Sequence, residues 1–226
     1  MTSALRRIEH GGEAACEGRA FTIAAIGASG VGKTSMLGRV YRPDMFISQA
    51  NSTTGIDMFS VFVKLAHKGE DVVVKMLLRD IAGQEKFTSM MPAFARNIDG
   101  CFVMFDSTNR ETLQPALHWL REFRKFNTYA VCMLVATKID LFETSQVKPF
   151  YTIDDMQRLA GENDCMAGFA EISSLSTKNL DRAVNQLAEM AYAEKSKAES
   201  LVMNDNRADV IDITRAKVAA KKRCDC

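Results

Sequence analysis

Apolar positions along the chain keep three different rhythms. Residues 21–26, 101–105 and 131–136 are nearly continuous apolar runs, and residues 166–171 form a similar short segment. Such runs read as strands covered on both faces, as in a parallel sheet. Residues 56–66 and 71–78 alternate instead, with Val61, Val63 and Leu65, then Val72, Val74, Met76 and Leu78. His67-Lys68-Gly69-Glu70 between them makes the pair a hairpin. Helical spacing governs much of the rest. It places a helix over 110–126 through Leu113, Leu117, Leu120 and Phe123, with Thr108 and Asn109 as caps and Pro115 near its first turns. A second helix follows Thr152, through Met156, Leu159 and Ala160. A third covers 179–198 through Leu180, Ala183, Val184, Leu187, Met190 and Ala191. Strands alternating with helices predict an α/β fold: a mostly parallel six-stranded sheet with one antiparallel edge strand and helices on both faces.

The two ends do not share this order. Residues 1–19 are small and polar and read as a flexible arm. Residues 199–226 lose apolar periodicity, gain charge and read as a mobile tail. That leaves one folded domain over 20–198, a size that suits a chain of 226 residues. A hydrophobic content of 47% supports a full core, and 29 Lys+Arg against 28 Asp+Glu argue against a nucleic-acid surface. No run of 18 apolar residues is present for a transmembrane helix, and residues 1–20 lack the apolar stretch of a secretory signal. None of the six cysteines forms Cys-x-x-Cys. Cys101 and Cys132 sit inside strand-like runs and read as buried free thiols of a reducing, cytosolic compartment.

Chemistry concentrates in the loops that follow the strands. Gly27-Ala28-Ser29-Gly30-Val31-Gly32-Lys33-Thr34 matches G-x-x-x-x-G-K-[ST] and sits between a strand and a helix over 35–41. This is a P-loop. Ser29, Gly30, Val31 and Gly32 turn backbone N–H groups toward one phosphate chain, and the helix N-terminus adds its positive end. Lys33 is placed to reach the β- and γ-phosphates, and the Thr34 hydroxyl to bind Mg²⁺. Asp80 follows the second hairpin strand and supplies a carboxylate on the Mg²⁺ side. Thr137-Lys138-Ile139-Asp140 follows another strand. A carboxylate at the base edge accepts from the two adjacent N–H donors of guanine; adenine lacks that pair and would leave Asp140 desolvated and unpaired. Ligands of such folds bind beyond the carboxyl ends of the strands, so loops 27–34, 80–85, 137–140 and 171–175 converge on one rim.

These residues resemble the Ras superfamily of small GTPases, and most of all its Rab branch, over roughly residues 20–195 and the last six. Thr53-Thr54-Gly55-Ile56-Asp57 resembles the Rab switch I run. Asp80-Ile81-Ala82-Gly83-Gln84-Glu85 resembles switch II, and residues 94–100 resemble the Rab stretch that follows it. Thr137-Lys138-Ile139-Asp140 is similar to the guanine motif Asn-Lys-x-Asp, and Ser173-Ser174-Leu175 stands where Ser-Ala-Lys is usual. The resemblance implies that Thr53 joins Thr34 and Asp80 around Mg²⁺ and senses the γ-phosphate. It implies that Gly83 contacts that phosphate and that Gln84 orients the attacking water. It implies, too, that Phe46 packs on guanine beside Thr137, Lys138, Asp140, Ser173, Ser174 and Leu175. Departures are Thr137 for Asn, Arg79 for Trp, Ile81 for Thr, Leu175 for Lys, and Thr54 and Met58 for Ile and Phe.

The expected activity is a monomeric GTP/GDP switch with slow hydrolysis in vesicle trafficking. Its partners are an exchange factor, a GTPase-activating protein, effectors and an escort or GDI-type chaperone. Cys224 and Cys226 close the chain as Cys-x-Cys beside Lys221, Lys222 and Arg223, a pattern for double prenylation that anchors the protein on the cytosolic face of an intracellular membrane. The alternatives are a Rho-like or divergent signalling GTPase, a metabolic P-loop kinase and a catalytically weak GTP-binding scaffold.

Overall fold

In chain order the strands are β1 (Arg6–Arg7), β2 (Ala20–Gly27), β3 (Ile56–His67), β4 (Glu70–Ile81), β5 (Gly100–Asp106), β6 (Val131–Thr137) and β7 (Met166–Glu171). The helices are α1 (Gly12–Ala15), α2 (Lys33–Tyr41), α3 (Met91–Ala95), α4 (Leu113–Arg124), α5 (Asp140–Thr144), α6 (Ile153–Gly161) and α7 (Leu180–Lys222). This computed structural model describes residues 5–44, 56–81, 91–144, 147–162 and 166–222, with side chains to residue 201 apart from Ile56 and Glu143. The chain divides into two compact units, Met1–Tyr192 and Ala193–Cys226.

The strands form one sheet in the order β1-β3-β4-β2-β5-β6-β7. β2 lies parallel to both β4 and β5, and β6 lies parallel to β5 and β7. Every residue of β5 and β6 is buried. Successive side chains on a strand point to opposite faces, so burial without a break needs cover on both faces. One face carries α2 and the first part of α7, packing Met36, Leu37 and Val40 with Leu180, Val184 and Leu187 against Phe21, Ile23 and Phe102. The opposite face carries α3, α4 and α6, packing Phe94, Trp119, Phe123 and Met156 against Ile26, Val103, Phe105 and Leu134.

The hairpin forms as its alternation predicts, from β3 and β4, with His67 opposite Glu70. Lys68 and Gly69 between them both have positive φ, 52° and 85°, as the tight turn that follows strand twist requires. Thr152 caps α6 by accepting from the Asp155 N–H at 3.1 Å. Asn109 caps a short 3-10 turn, Arg110–Thr112, ahead of α4, so Pro115 enters at the third helical position.

Within residues 5–19, expected to be a flexible arm, Arg6 and Arg7 instead join the sheet and Gly12–Ala15 form a short helix. Arg6 and Arg7 pair antiparallel with Lys64 and Val63, and the Ile8 N–H donates to the Phe62 carbonyl at 2.8 Å. Leu5 and Cys16 are buried. Gly12 sits so close to the Phe62 ring that a Cβ there would lie 2.4 Å from it. The reason is complementarity that a one-dimensional reading misses: Arg6 meets Asp71, and Arg7 meets Asp181. The described sheet therefore has seven strands, not six, and the antiparallel strand β3 lies one place in from the edge. Asp80 lies within β4, one residue before its end, and not just beyond it. Helix α7 also runs past Ala198, where the periodicity ends. Residues 199–222 contain no Gly or Pro and many good helix formers, and helical backbone needs no apolar stripe.

Candidate functional site

Loop 27–34 joins β2 to α2, and its geometry follows from glycine. Gly27 has φ 142°, and a Cβ there would lie 2.2 Å from the Met104 carbonyl oxygen, so the strand end admits nothing larger. Gly30 and Gly32 also have positive φ, with open space beside them. Gly32 is the N-cap of α2. It offers no capping side chain, and the first helical turn holds no acidic residue. The N-terminus of α2 thus carries no side-chain cap and no acidic residue to compete with an incoming anion. Ser29 and Gly30 are exposed on this loop, whereas Val31 is fully buried.

Lys33 is 5% exposed, and its ammonium donates to the carbonyls of Gly27 and Ala28 at 3.0 and 2.9 Å. Burial pushes its pKa down to about 8, partly opposed by the charge of Asp80. The Thr34 hydroxyl donates to Asp80 Oδ2 at 2.5 Å. Asp80 is fully buried, and burial pushes its pKa up against the Thr34 hydrogen bond and the Lys33 charge. Its Oδ1 is buried with no hydrogen-bond partner among the described residues. A buried carboxylate with one empty oxygen beside a hydroxyl is an incomplete set of hard oxygen donors. It fits Mg²⁺, which takes one or two carboxylates and completes its shell with phosphate and water.

A second group of side chains lies at the ends of β6 and β7. The Thr137 hydroxyl is 2.7 Å from the Val31 carbonyl and 3.0 Å from that of Phe105, so it ties this motif to the phosphate loop. Lys138 takes positive φ, 61°, which turns the chain, and its ammonium pairs with Asp106 at 2.6 Å. Burial would raise the Asp106 pKa, but the Lys138 and Thr108 hydrogen bonds outweigh it and hold the carboxyl below its ordinary value. Asp140 accepts from the Ser173 hydroxyl at 2.5 Å, and Ser173 Oγ accepts in turn from the Ser176 N–H at 3.0 Å. One Asp140 oxygen is thus held while the carboxylate stays partly accessible. Ser174 is nearly buried, whereas the Leu175 side chain is half exposed.

The structure brings Lys33, Thr34 and Asp80 into one cluster, and Thr137, Lys138, Asp140, Ser173 and Ser174 into a second. Thr137 and Val31 join the two. Phe46, Thr53, Gly83, Gln84, Cys224 and Cys226 lie outside the described residues. Sequence reasoning missed Arg39 and Asp106. Arg39 donates to the Ser174 and Leu175 carbonyls, and Asp106 fixes Lys138. Neither lies in a short motif; Asp106 closes the apolar run of β5 as Asp80 nearly closes β4, and that parallel was the available signal. Arg79, which stands in place of an expected Trp, donates to the Phe94 and Arg96 carbonyls at 3.2 and 3.1 Å and ties β4 to the end of α3.

Residues 22–193 match the Ras family. Among curated proteins, the chain is 31% identical over 199 residues to Ras-related protein Rab-7L1 of Mus musculus, covering 86% of this chain and 87% of that protein. It is 34% identical over 180 residues to Ras-related protein RABA2d of Arabidopsis thaliana, covering 79% of this chain and 78% of that one. With Ras-related protein Rab11B of Nicotiana tabacum it shares 28% identity over 211 residues, covering 91% and 92%.

Proposed function

The chain belongs to the Ras family as a Rab-like small GTPase, and from that membership we propose an Mg²⁺-dependent switch whose parts are the two clusters above. The protein binds GTP and GDP and hydrolyses GTP. In our reading, the α2 amides and the Lys33 ammonium take the β- and γ-phosphates, and Asp140 reads the N1 and N2 donors of guanine. Thr34 and Asp80 would hold Mg²⁺ with Thr53, and the ion would supply positive charge to neutralise the phosphates. Gly83 donates to the γ-phosphate and Gln84 orients the water that attacks it. Loss of that phosphate releases the loops it held, which is the switch. Prenyl groups on Cys224 and Cys226 would place the switch on an intracellular membrane, where an exchange factor, a GTPase-activating protein, effectors and a GDI-type chaperone act on it in vesicle trafficking.

The observation that carries this reading is the buried Asp80 carboxylate, with one oxygen on Thr34 and the other without a partner, on the same rim as Asp140. Fluorescent GDP bound in excess Mg²⁺ should be displaced by GTP and GDP and only far less well by ATP, and EDTA should speed its release. Asp140→Asn should move preference toward xanthine nucleotides, whose donors and acceptors are altered at that edge. Equal affinity of the wild type for ATP and GTP would overturn the guanine assignment, and release unaffected by EDTA would overturn the Mg²⁺ assignment.

A further inference from the structure

Arg39 lies on α2, less than two turns beyond Lys33 and Thr34, and is half-buried. Its Nε donates to the Ser174 carbonyl at 3.0 Å, and one terminal nitrogen donates to the Leu175 carbonyl at 3.0 Å. The other terminal nitrogen donates to the Pro43 carbonyl at 2.6 Å, just past the end of the same helix. A guanidinium is flat and holds its N–H groups in fixed directions, so these carbonyls are held at set angles. The root of the fork is equally fixed, because Met36, Leu37 and Val40 are fully buried and lock α2 on the sheet. At its other end the fork grips backbone next to Ser173, the residue whose hydroxyl holds Asp140. Arg39 thus joins the helix that begins at the phosphate loop to the loop that orients the base-reading carboxylate. These partners lie 135 and 136 residues away along the chain.

We infer that Arg39 is a positioning residue that sets the span between the base loop and the phosphate loop, so that one nucleotide is gripped at both ends at once. The inference rests on the guanine-nucleotide reading above. A nucleoside diphosphate has two recognition ends joined by a ribose. Once one end is bound, the other meets its subsite at an effective concentration set by how well the span matches the ligand. A base loop free to drift lowers that concentration while leaving each subsite chemically whole. Thr137–Val31 is a second tie between the same halves. It holds the start of the base motif, whereas Arg39 holds residues 174–175, so the loss of Arg39 removes the tie to α2 at the end of the site that Thr137 does not reach.

The test separates the joined ligand from its two parts. With the full chain in Mg²⁺, Arg39→Ala should release GDP roughly tenfold faster or more. The dissociation constants of inorganic pyrophosphate and of guanosine, measured separately by NMR titration, should stay within about twofold of wild type. Arg39→Lys keeps the charge and the aliphatic stem but loses the fork, and should behave like Arg39→Ala. It carries the same comparison if the alanine variant does not fold. GDP release within twofold of wild type in the lysine variant would overturn the proposal. So would parallel weakening of guanosine or pyrophosphate, which would mark damage to one subsite and not to the span. Failure of the guanine reading has a different signature: wild-type protein that binds pyrophosphate but neither guanosine nor GDP.

Discussion

The two halves of the site are built on opposite plans. The base half is complete as it stands. Asp140 rests on Ser173, Lys138 on Asp106, and Thr137 on Val31 and Phe105, so each of these three side chains has a partner supplied by the fold. The phosphate half is left unfinished. Lys33 is buried with its charge disfavoured, Asp80 is buried with one oxygen unmatched, and the N-terminus of α2 has neither a capping side chain nor an acidic residue in its first turn. Buried polar groups without partners cost stability. A ligand that supplies the partners recovers that cost on binding. On the proposed function, the contrast means that Asp140 is held in advance for the base, while the Lys33 and Asp80 end keeps an unfavourable arrangement that a charged ligand would relieve. A switch that must respond to one phosphate benefits from having its unmet charge at that end.

The sharpest way to break this comparison is Lys33→Met. It should cost about 2–5 kcal/mol of GDP affinity, the usual loss when one partner of a buried charge pair is removed. Without nucleotide the change in stability should be small by comparison, because the disfavoured buried ammonium is gone while the Gly27 and Ala28 carbonyls lose their donor. Isothermal titration and thermal unfolding of the stripped protein measure both. A clear loss of stability without nucleotide would show that the phosphate half is as self-satisfied as the base half.

The next effect in size is on pH. The pKa of Lys33 lies at about 8 in the folded protein against an ordinary value of 10.5. Between those values the unfolded chain binds more protons than the folded one, so stability without nucleotide should rise with pH across that window. Phosphate prefers the ammonium form. Affinity for GDP should therefore fall as pH rises above about 8, by up to roughly tenfold per unit until the pKa of the complex is reached. A flat affinity between pH 7 and 9.5 would mean that the ammonium is not what meets the phosphate.

Ser173→Ala should give the smallest change and one of the opposite kind. It removes the hydroxyl that holds Asp140, and stability without nucleotide should drop by about 1 kcal/mol. The preference for GTP over ATP should narrow, since Asp140 loses its fixed orientation. Unchanged unfolding and unchanged selectivity together would show that Asp140 is not held in advance, and the contrast between the halves would fail on its base side.

How much of this was legible in the chain depends on the range of the forces involved. The P-loop, the buried runs of β2, β5 and β6, the turn at Lys68-Gly69 and the cap at Thr152 are all encoded within a few residues. There, backbone preference and local hydrogen bonding decide the outcome. The rim of loops was also legible, because the order of strands and helices alone brings strand ends to one edge. The cross-ties were not legible. Arg39 to Ser174, Thr137 to Val31 and Arg6 to Asp71 span 135, 106 and 65 residues. A half-buried arginine fork finds carbonyls only after both segments are packed, and nothing in its neighbours foretells which ones. The same holds for residues 5–19. Their polar composition suggested a loose arm, yet two arginines meet two aspartates and the edge of β3 takes up Arg6 and Arg7 as a strand. Sequence alone determined the fold class and singled out loop 27–34 and Asp140 as the candidate phosphate and guanine contacts, because short stretches carry them. Tertiary structure alone decided that Asp80 keeps an unmatched oxygen, that Arg39 spans the site and that the sheet gains a seventh strand. Burial, charge pairing and edge pairing become fixed only when distant segments meet.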